Sequence, residues 1–571
     1  MLRSPTLANL AKRQCRCKNL RMLAGIFLRR MFKASPLNRR RFNGIFERRY
    51  VRLGPRADRT NALEFEATMP FSRATTIDPS NGSTVRWAFW AICVLTVLRF
   101  VLAASLPLAF DEAYFWLWSK HLAISYYDHP PLIALTIRAG TLLFGDTEFG
   151  VRFVSLLASV GASWAVWRSG ALLLGNERAG ALACLFFNLT LMFAAESMSA
   201  TPDALILAAS SFVLFFLAKA EATHDGRWWI AVGLAAGAAL LSKYTSFFLG
   251  AGIALWLIAT PQGRVWLRTV WPYAAGVLAL AFLVPNLIWN AQHDWISFKF
   301  QFGRIAEGGQ PAWRFILEFV GGQIGLASPF ILMLGAMSFA RESNFLRAVR
   351  PLAYCAASIW PALVYFAVHA LHSRVQGNWP SFVYPSLAVL AAGAVLIPWQ
   401  NRVAQRSVGL SRMLAVPLAA AILAFVYAQA FWVIVPMGRH DPIARMMGVG
   451  FNDVAQNVAA IAKARHATAL VTTNYVLTGW LSFYLHRQIP IIQLNEDFRW
   501  LSSPRASPAD LNGRLLYVTQ EPDKERPFLG NDFAGVEKIA QFERMRGKVA
   551  VDPVYIYALS GYRGAPVGRM P

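Results

Sequence analysis

Two adjacent carboxylates, Asp111 and Glu112, follow the first long apolar stretch of the chain, residues 87–108. They open an aromatic-rich run, FDEAYFWLW at 110–118, which leads into YYDHPP at 126–131. Ionisable groups at membrane depth are costly, and they tend to face a wet cavity or a substrate path. Because acids, aromatic residues and a Pro-Pro pair follow one another so closely, this segment indicates a reaction site rather than a loop that merely carries polar residues.

The composition indicates what kind of protein must position these acids. Of 571 residues, 56% are hydrophobic and 15% are charged, which is too apolar for an ordinary soluble protein. The formal net charge of +25 is concentrated in residues 1–60, which hold 17 Lys and Arg against Glu47 and Asp58. The remaining excess is spread over short loops between apolar runs, a pattern that indicates membrane topology and no nucleic-acid partner.

The basic segment 1–86 is predicted to be a cytoplasmic tail without regular structure. It has no apolar core followed by a cleavage site, so it does not read as a secretory signal. Three alternatives stay open: the tail binds anionic lipid headgroups, it is disordered, or it lies upstream of the true start at Met69.

Eleven apolar runs are long enough, at about 17–25 residues, to be predicted as membrane spans. They lie near 87–108, 149–172, 178–195, 203–220, 228–243, 245–260, 272–290, 316–338, 352–370, 381–398 and 413–435. If the tail is inside, every even-numbered connection is cytoplasmic and contains arginine, as the positive-inside rule requires. The odd number of spans then places the C-terminal segment outside the cytoplasm. We therefore predict an all-α polytopic membrane domain over 87–435.

A soluble pattern begins at residue 436 and predicts a small extracytoplasmic α/β domain over 436–571. Residues 469–473 and 515–519 are short runs rich in β-branched side chains, and 452–464 has helical apolar spacing. The acidic residues of this domain are scattered in turn-rich sequence without metal-ligand spacing, so we expect them on the solvated surface.

The predicted external connections collect most of the unusual polar residues, which places the site on the external face of the membrane. These residues are Asp111, Glu112, Asp128, His129, Glu196, Asp203, His293, Asp294, Arg304, His372, Arg374, Gln376 and Asn378, with Lys243 near the external end of its span. External arginines oppose the positive-inside tendency, so Arg304 and Arg374 each call for an anionic partner, phosphate or carboxylate. Most aromatic residues at the external ends are expected to form an interfacial belt.

The chain resembles the GT-C glycosyltransferases of the dolichyl-phosphate-mannose–protein mannosyltransferase and lipid A aminoarabinose transferase superfamily. The matching stretches are FDEAY at 110–114, YDHPPL at 127–132, TPD at 201–203, LSKY at 241–244, and GNWP at 377–380 followed by YP at 384–385. They cover roughly residues 87–400. One departure is His129, where aminoarabinose transferases carry a lysine. The resemblance implies a polyprenyl-phosphate sugar donor and a glycolipid, glycan or protein acceptor on the non-cytoplasmic face.

The implied reaction needs few catalytic groups. A sugar bonded to phosphate through its anomeric carbon already has a good leaving group, so one base suffices and no general acid is required. The resemblance makes Asp111 that base, with inversion at the sugar. Glu112, the second catalytic candidate, is expected to orient the loop or share a hydrogen bond, since two adjacent residues rarely point at one atom. Asp203 assists the base, holds substrate hydroxyls, or serves as a helix N-cap.

The departing phosphate gathers negative charge, which preorganised cations stabilise. Lys243 is the leading candidate because it lies in apolar sequence and matches the family, and we expect it to face the cavity and pair with the donor phosphate. A lysine that anchors at the membrane interface is the alternative. His129, Arg304 and Arg374 are further phosphate candidates.

Five residues are predicted to bind substrate: Tyr127, Asp128, Gln376, Asn378 and Tyr384. No cofactor is expected. His369 and His372, at a spacing of three, can share a divalent metal, but no third ligand is evident and the donor chemistry does not need one.

The rival function is a transporter of an anionic or glycolipid substrate. Transporters often have repeated halves and charges near the membrane midplane. The sequence shows no repeat, and its charges lie at span ends. It leaves the sugar, the acceptor and the oligomeric state open.

Overall fold

The computed structural model describes residues 79–571, apart from 307–312, 347–349, 486–487, 526–528 and 565–567. Side chains are also left undescribed at 79–81, 302, 304–306 and 524–525. Most of the predicted basic tail, residues 1–78, therefore lies outside the described residues.

The membrane part consists of helices joined by short connections. They are α1 (Pro79–Ser105), α2 (Phe110–Lys120), α3 (Leu132–Phe144), α4 (Glu148–Leu174), α5 (Glu177–Leu189), α6 (Leu191–Glu196), α7 (Pro202–Thr223), α8 (Trp228–Ser242), α9 (Ser246–Ala259), α10 (Pro261–Leu267), α11 (Trp271–Gln292), α12 (Ile296–Ala306), α13 (Trp313–Ala327), α14 (Pro329–Glu342), α15 (Ala353–His369), α16 (Tyr384–Leu396) and α17 (Arg402–Phe431).

The predicted count of eleven spans is not confirmed. Among the described residues, five helices are long and apolar enough to cross a membrane, or seven spans if each of two bent helix pairs counts as one. Four further apolar helices are shorter, at 10–17 residues: Leu132–Phe144, Trp228–Ser242, Ala353–His369 and Ser381–Leu396. Each predicted run contains helix, so the pattern identified helices correctly, but many are shorter than a straight crossing requires.

The predicted span 316–338 is wrong as one straight helix. Helices α13 and α14 are bent by 104° across a break at Ser328. Ser328 has φ +68°, outside the right-handed helical region, and Pro329 follows it. A proline disfavours helical backbone in the preceding residue, which is why α13 ends here and α14 begins on the proline.

The centre of the helical part is packed through small residues. Helix α16 is buried along most of its length, from Tyr384 to Ala394, and α5 is buried from Ala179 to Leu189 with one gap at Leu182. Close approach depends on glycine where α4 meets α5: a Cβ at Gly180 would lie 2.4 Å from the Trp167 carbonyl oxygen. Small residues let membrane helices approach in this way without a hydrophobic driving force.

The C-terminal part, residues 436–571, contains a five-stranded sheet in the order β2-β1-β3-β5-β4. Its strands are β1 (Ala469–Thr472), β2 (Ile491–Gln493), β3 (Leu515–Thr519), β4 (Phe533–Arg546) and β5 (Val549–Tyr562). The first three are parallel, and β5 joins β3 antiparallel through a long hairpin with β4. The helices are α18 (Pro442–Met446), α19 (Phe451–Ala464), α20 (Tyr475–Leu485), α21 (Pro508–Leu511) and α22 (Pro522–Glu525). The predicted strands near 469 and 515 and the predicted helix near 452 are confirmed.

Helix α20 packs directly against α2, the helix that carries the two adjacent acids. Trp480 donates its indole N–H to the Leu108 carbonyl at 3.0 Å, and the Leu108 N–H donates to the Tyr484 hydroxyl at 3.1 Å. Gly479 faces the backbone of Tyr114, where a Cβ would come within 3.0 Å of the amide nitrogen. The C-terminal part is therefore fixed to the loop that leads into the site.

This packing corrects the expected interfacial belt for the aromatic residues of α2. The side chains of Tyr114 and Trp118 are each 1% exposed. Both rings belong to the same apolar core as Trp480 and Trp500 of the C-terminal part, which cover α2 in place of lipid headgroups.

The expectation of solvated acids in the C-terminal part is wrong for two of them. Asp441 is buried and pairs with Arg546, which also donates to the Gln429 carbonyl at the end of α17. Glu496 is half-buried and pairs with Arg499 at 3.2 Å. The partner arginines lie far along the chain or in a turn, so sequence spacing does not indicate these pairs.

Candidate active site

A cavity of about 650 Å³ lies where α2, α7, the break between α8 and α9, and the C-terminal part meet. Its charged and imidazole lining is Asp111, Asp128, His129, Asp203, Lys243, His369 and Arg499. Much of the remaining surface is aromatic, including Phe110, Tyr114, Phe248, Phe298, Trp379 and Tyr475. A largely apolar cavity with a few convergent polar groups is typical of a small-molecule site.

Asp111 is the one carboxylate of this lining that has no internal partner. It is the second residue of α2, and within the described residues its side chain makes no hydrogen bond and no ion pair. Burial raises the pKa of Asp111 to about 7, and the negative charges of Asp128 and Asp203 act in the same direction against Lys243 and Arg499. A carboxylate with this pKa is half-ionised near neutral pH, which suits a general base.

Glu112 points away from the cavity. It is fully buried and accepts two bonds from Arg152, at 2.8 Å and 2.5 Å, and two more from the amides of Ala109 and Ala200. Arg152 also donates to the carbonyl oxygen of Ala103 in the last turn of α1 and to those of Leu106 and Pro107 in the loop before α2. Of the two roles that the sequence left open for Glu112, the geometry favours the orientation of this loop.

Asp203 lies in the first turn of α7 and lines the cavity. Its Oδ2 accepts from the Lys243 ammonium at 2.6 Å and from the Asn378 amide at 2.8 Å, while its Oδ1 accepts from the Ser381 hydroxyl at 2.8 Å. The N-cap of α7 is Thr201, whose hydroxyl accepts from the Ala204 amide. Asp203 is therefore not the cap that the sequence allowed.

Lys243 lies between two helices rather than inside one. Its backbone is extended, with φ −155° and ψ 142°, where α8 ends. The side chain is buried and lines the cavity as expected. Asp203 supplies an internal counter-ion, so the ammonium is not left unpaired without a ligand, and the expected pairing with the donor phosphate stays a prediction. A lysine ammonium has three N–H donors, so this pair leaves others for a ligand.

A second ion pair closes the opposite side of the lining. Asp128 Oδ2 accepts from Arg499 Nη1 at 2.6 Å and from the Tyr114 hydroxyl at 2.8 Å. Arg499 comes from the C-terminal part, 371 residues along the chain. The cavity thus contains two neutralised carboxylates and one, Asp111, that is not.

The other predicted site residues divide into two groups. His129, Gln376 and Asn378 line the cavity. Tyr127 and Tyr384 do not: Tyr127 packs between the tilted rings of Phe300 and Phe498, and the buried Tyr384 donates its hydroxyl to Gln323.

Of the two further arginine candidates, the structure describes only the side chain of Arg374, which does not line the cavity. Arg374 is 76% exposed and pairs with Glu318 at 3.2 Å. The side chain of Arg304 lies outside the described residues.

His369 and His372 lie close together, with ring centroids 5.4 Å apart. His369 lines the cavity and contacts Trp379 at a centroid distance of 5.6 Å. No group of three or more His, Cys, Asp and Glu residues that could hold a metal ion occurs in the described part of the chain. The expectation that no metal is required stays a prediction.

Sequence reasoning missed Arg499 and Tyr475. Both line the cavity, and both lie beyond the region of family resemblance. A signal was present: Arg499 stands between Phe498 and Trp500 in a segment predicted to be external. It is the same pattern of an arginine beside apolar residues that singled out Arg304.

Comparisons with known proteins identify the superfamily that the chain resembles. The family model described as dolichyl-phosphate-mannose-protein mannosyltransferase matches residues 128–289. The crystal structure of ArnT from Cupriavidus metallidurans bound to undecaprenyl phosphate aligns with a TM-score of 0.55, at 16% identity, over 83% of this chain and 98% of that one. The resemblance to the GT-C superfamily is confirmed. At this level of identity, the structural match shows a shared GT-C fold.

Two curated relatives carry more specific names. Lipid A galacturonosyltransferase RgtD of Rhizobium johnstonii is 26% identical over 454 residues, which cover 75% of this chain and 90% of the relative. The undecaprenyl phosphate-alpha-4-amino-4-deoxy-L-arabinose arabinosyl transferase 1 of Pseudomonas fluorescens is 24% identical over 393 residues, or 63% of this chain and 66% of the relative. These GT-C relatives are transferases, and the second is named for a polyprenyl-phosphate sugar.

Proposed function

We propose that this chain is an inverting glycosyltransferase of the bacterial inner membrane, with its site on the periplasmic side. It transfers a sugar from a polyprenyl-phosphate donor to a lipid A, polysaccharide or protein acceptor. The observation that carries this proposal is Asp111: a carboxylate without an internal partner and with a pKa of about 7, in a cavity shared with two cations. The segregation of polar residues to one set of predicted connections supports the sidedness.

In the proposed step, an acceptor hydroxyl attacks the anomeric carbon from the face opposite the phosphate. Asp111 takes the hydroxyl proton as the new C–O bond forms. The bond between the anomeric carbon and the phosphate oxygen breaks, and its electron pair leaves with the polyprenyl phosphate. One displacement inverts the anomeric centre. The products are the glycosylated acceptor, polyprenyl phosphate and a proton on Asp111.

Lys243 is the proposed contact for the donor phosphate. Its ammonium lies in the cavity lining and is already held by Asp203, so its position is fixed before a ligand arrives. A preorganised cation stabilises developing charge more effectively than one that must move. His129 lines the same cavity and is the second proposed contact.

Asp203, Gln376 and Asn378 are proposed to hold sugar or acceptor hydroxyls. Asn378 already donates to Asp203, and both side chains line the cavity. Hydrogen-bonding groups fixed on each other in this way present acceptors in a defined geometry, which favours a polyhydroxylated ligand.

Lipid A is the preferred acceptor in this proposal, because the relative that is matched over 90% of its length is named for it. The two relatives are named for different sugars, which carry opposite charges, so they leave the sugar of this chain open. A galacturonosyl group carries a carboxylate, whereas 4-amino-4-deoxyarabinose carries an ammonium at neutral pH.

The test is transfer by the purified full chain in lipid vesicles. Polyprenyl phosphates bearing galacturonic acid, 4-amino-4-deoxy-L-arabinose or mannose are each offered with lipid A, a polysaccharide or a peptide, and products are identified by mass and anomeric configuration. We expect one donor to give an inverted product with wild type and none with Asp111→Asn. Asp225→Asn is the matched control, because Asp225 lies in a connection outside the cavity and pairs with Arg227. Retention of configuration, or full transfer by folded Asp111→Asn, would refute the mechanism.

A further inference from the structure

Arg499 joins the C-terminal part to the cavity. It ends a 3₁₀ turn, Asp497–Arg499, and its side chain is 16% exposed. Its guanidinium carbon lies 4.5 Å from the centre of the Tyr475 ring, and its Nε donates to Glu496 Oε1 at 3.2 Å. Its Nη1 donates to Asp128 at 2.6 Å. An aromatic face and two carboxylates thus fix the planar guanidinium, a geometry that lysine does not reproduce.

Asp128 is in turn one of the residues that hold the connection between α2 and α3, together with Ser125, which accepts from Asn286, and Tyr126, whose carbonyl accepts from Ser297. Besides Arg499, Asp128 accepts from the Tyr114 hydroxyl of α2, and its carbonyl accepts from the Gln301 amide of α12 at 2.9 Å. The next residue is His129, a proposed phosphate contact. Through Asp128, a residue of the C-terminal part therefore reaches the connection that carries part of the cavity wall.

We propose that Arg499 is a positioning residue for transfer: by holding Asp128, it fixes segment 121–131 at the cavity, so that the C-terminal part completes the site. The proposal rests on the proposed function for its kinetic readout only. It assigns Arg499 no direct contact with the sugar.

Removal of Arg499 also changes the charge that faces Asp111. The groups around Arg499 are Asp128, Glu496, Tyr114, Tyr127 and Tyr475. The charges that act on Asp111 are Asp128, Asp203, Lys243 and Arg499. Burial raises the pKa of Glu196 and of Tyr475, and the charge of Asp111 in turn raises both further. Loss of Arg499 removes a cation that lowers the pKa of Asp111 and leaves Asp128 without its counter-ion. Both effects raise the pKa of Asp111. The acid limb of the pH–activity curve, where the rate falls because Asp111 becomes protonated, should therefore move to higher pH.

The control variant is Arg544→Gln. Arg544 belongs to the same part of the chain, is buried, pairs with Asp552 and stacks on Trp480, but it does not line the cavity. It therefore matches Arg499 in type, ion pairing and aromatic contact. Loss of stability alone should affect both variants, whereas loss of positioning should affect only Arg499→Gln.

The experiment uses the purified full chain. Hydrogen–deuterium exchange of segment 121–131 is measured for wild type, Arg499→Gln, Arg499→Lys and Arg544→Gln, and the pH dependence of kcat/KM is measured with the best donor. We expect Arg499→Gln to increase exchange in this segment, to lower kcat/KM by roughly 10- to 100-fold through misplaced groups, and to move the acid limb to higher pH. Arg499→Lys should keep the acid limb at its wild-type position, because it keeps the charge. Exchange in segment 121–131 should return only part of the way to the wild-type level. Arg544→Gln should change neither readout.

Unchanged exchange in segment 121–131 of Arg499→Gln would overturn the proposal, as would an equal increase in Arg544→Gln. If wild type transfers none of the sugars offered, the proposed function fails, while the exchange comparison still decides whether Arg499 positions this segment.

Discussion

Asp111→Asn should make the folded protein inactive and, at alkaline pH, more stable. The pKa of Asp111 is raised from 3.8 to about 7 because partial burial disfavours its charged form, and the negative charges of Asp128 and Asp203 add to this effect. At about 1.4 kcal/mol per pKa unit, the ionised side chain costs the folded state up to about 4 kcal/mol above pH 7. Asparagine has nearly the same shape and no charge, so it removes this cost.

The sign follows from proton binding. The folded state holds the Asp111 proton more tightly than the unfolded chain does, so this group's contribution to stability is present below pH 4 and is lost as pH rises to about 7. The advantage of Asp111→Asn should therefore be absent at pH 4 and largest at pH 8.5. The same substitution, which raises stability, should lower transfer activity, because loss of a positioned base lowers the rate by about 10²- to 10⁴-fold. Wild-type kcat/KM should fall about fivefold between pH 7 and pH 6, as expected for a base with a pKa of about 7.

The assay is the apparent unfolding midpoint in detergent, followed by tryptophan fluorescence at pH 4 and pH 8.5, with transfer measured on the same samples. Asp128→Asn is the matched control. Its carboxylate is paired with Arg499, so its loss should lower the midpoint at pH 8.5 rather than raise it. If Asp111→Asn has the same or a lower midpoint than wild type at pH 8.5, the carboxylate is not desolvated and the argument for Asp111 as a neutral-pH base fails.

Three further predictions use the ion pairs and the tail. Lys243→Met should raise the donor KM, lower kcat, or both. It should also lower the unfolding midpoint by leaving Asp203 unpaired, and this loss should be smaller in the double variant with Asp203→Asn. Donor use like that of wild type would show that the lysine is only an anchor. Glu112→Gln should cost about 3–5 kcal/mol by leaving Arg152 buried without its counter-ion, measured as a lower unfolding midpoint and poor membrane yield, and an unchanged midpoint would contradict the structural role. Deletion of residues 2–68 should leave transfer and membrane topology intact, and a truncated protein that inserts but transfers no sugar would reveal a role for the tail.

The membrane class and the chemistry of the first loop were predictable from local sequence. Apolar runs must form helices in lipid, since only helices satisfy every backbone polar group within one segment. The run FDEAY showed an acid, Asp111, just after the first long apolar run. The motifs shared with the family included Asp203, Lys243 and Asn378, which all line the cavity. These signals are short and local, so they are visible without knowledge of packing.

Helix lengths were less predictable. Apolar composition identifies helix but not where it stops, and two of the stops depend on single residues. Ser328 turns the chain by its positive φ before Pro329, and Lys243 separates α8 from α9 in extended backbone. Apolar residues continue on both sides of Ser328, so the predicted span 316–338 runs straight through that break, whereas the break near Lys243 was predicted between the runs 228–243 and 245–260.

Tertiary structure alone decided which charges are neutralised. By itself, the sequence determined a membrane protein with GT-C motifs and an acid, Asp111, at a helix mouth. It did not indicate that Glu112 turns inward to Arg152, that Lys243 already has Asp203, or that Arg499 reaches Asp128 from 371 residues away. Ion pairs form between side chains that folding brings within about 4 Å, where the attraction outweighs desolvation only with good geometry. Sequence separation carries no information about that distance.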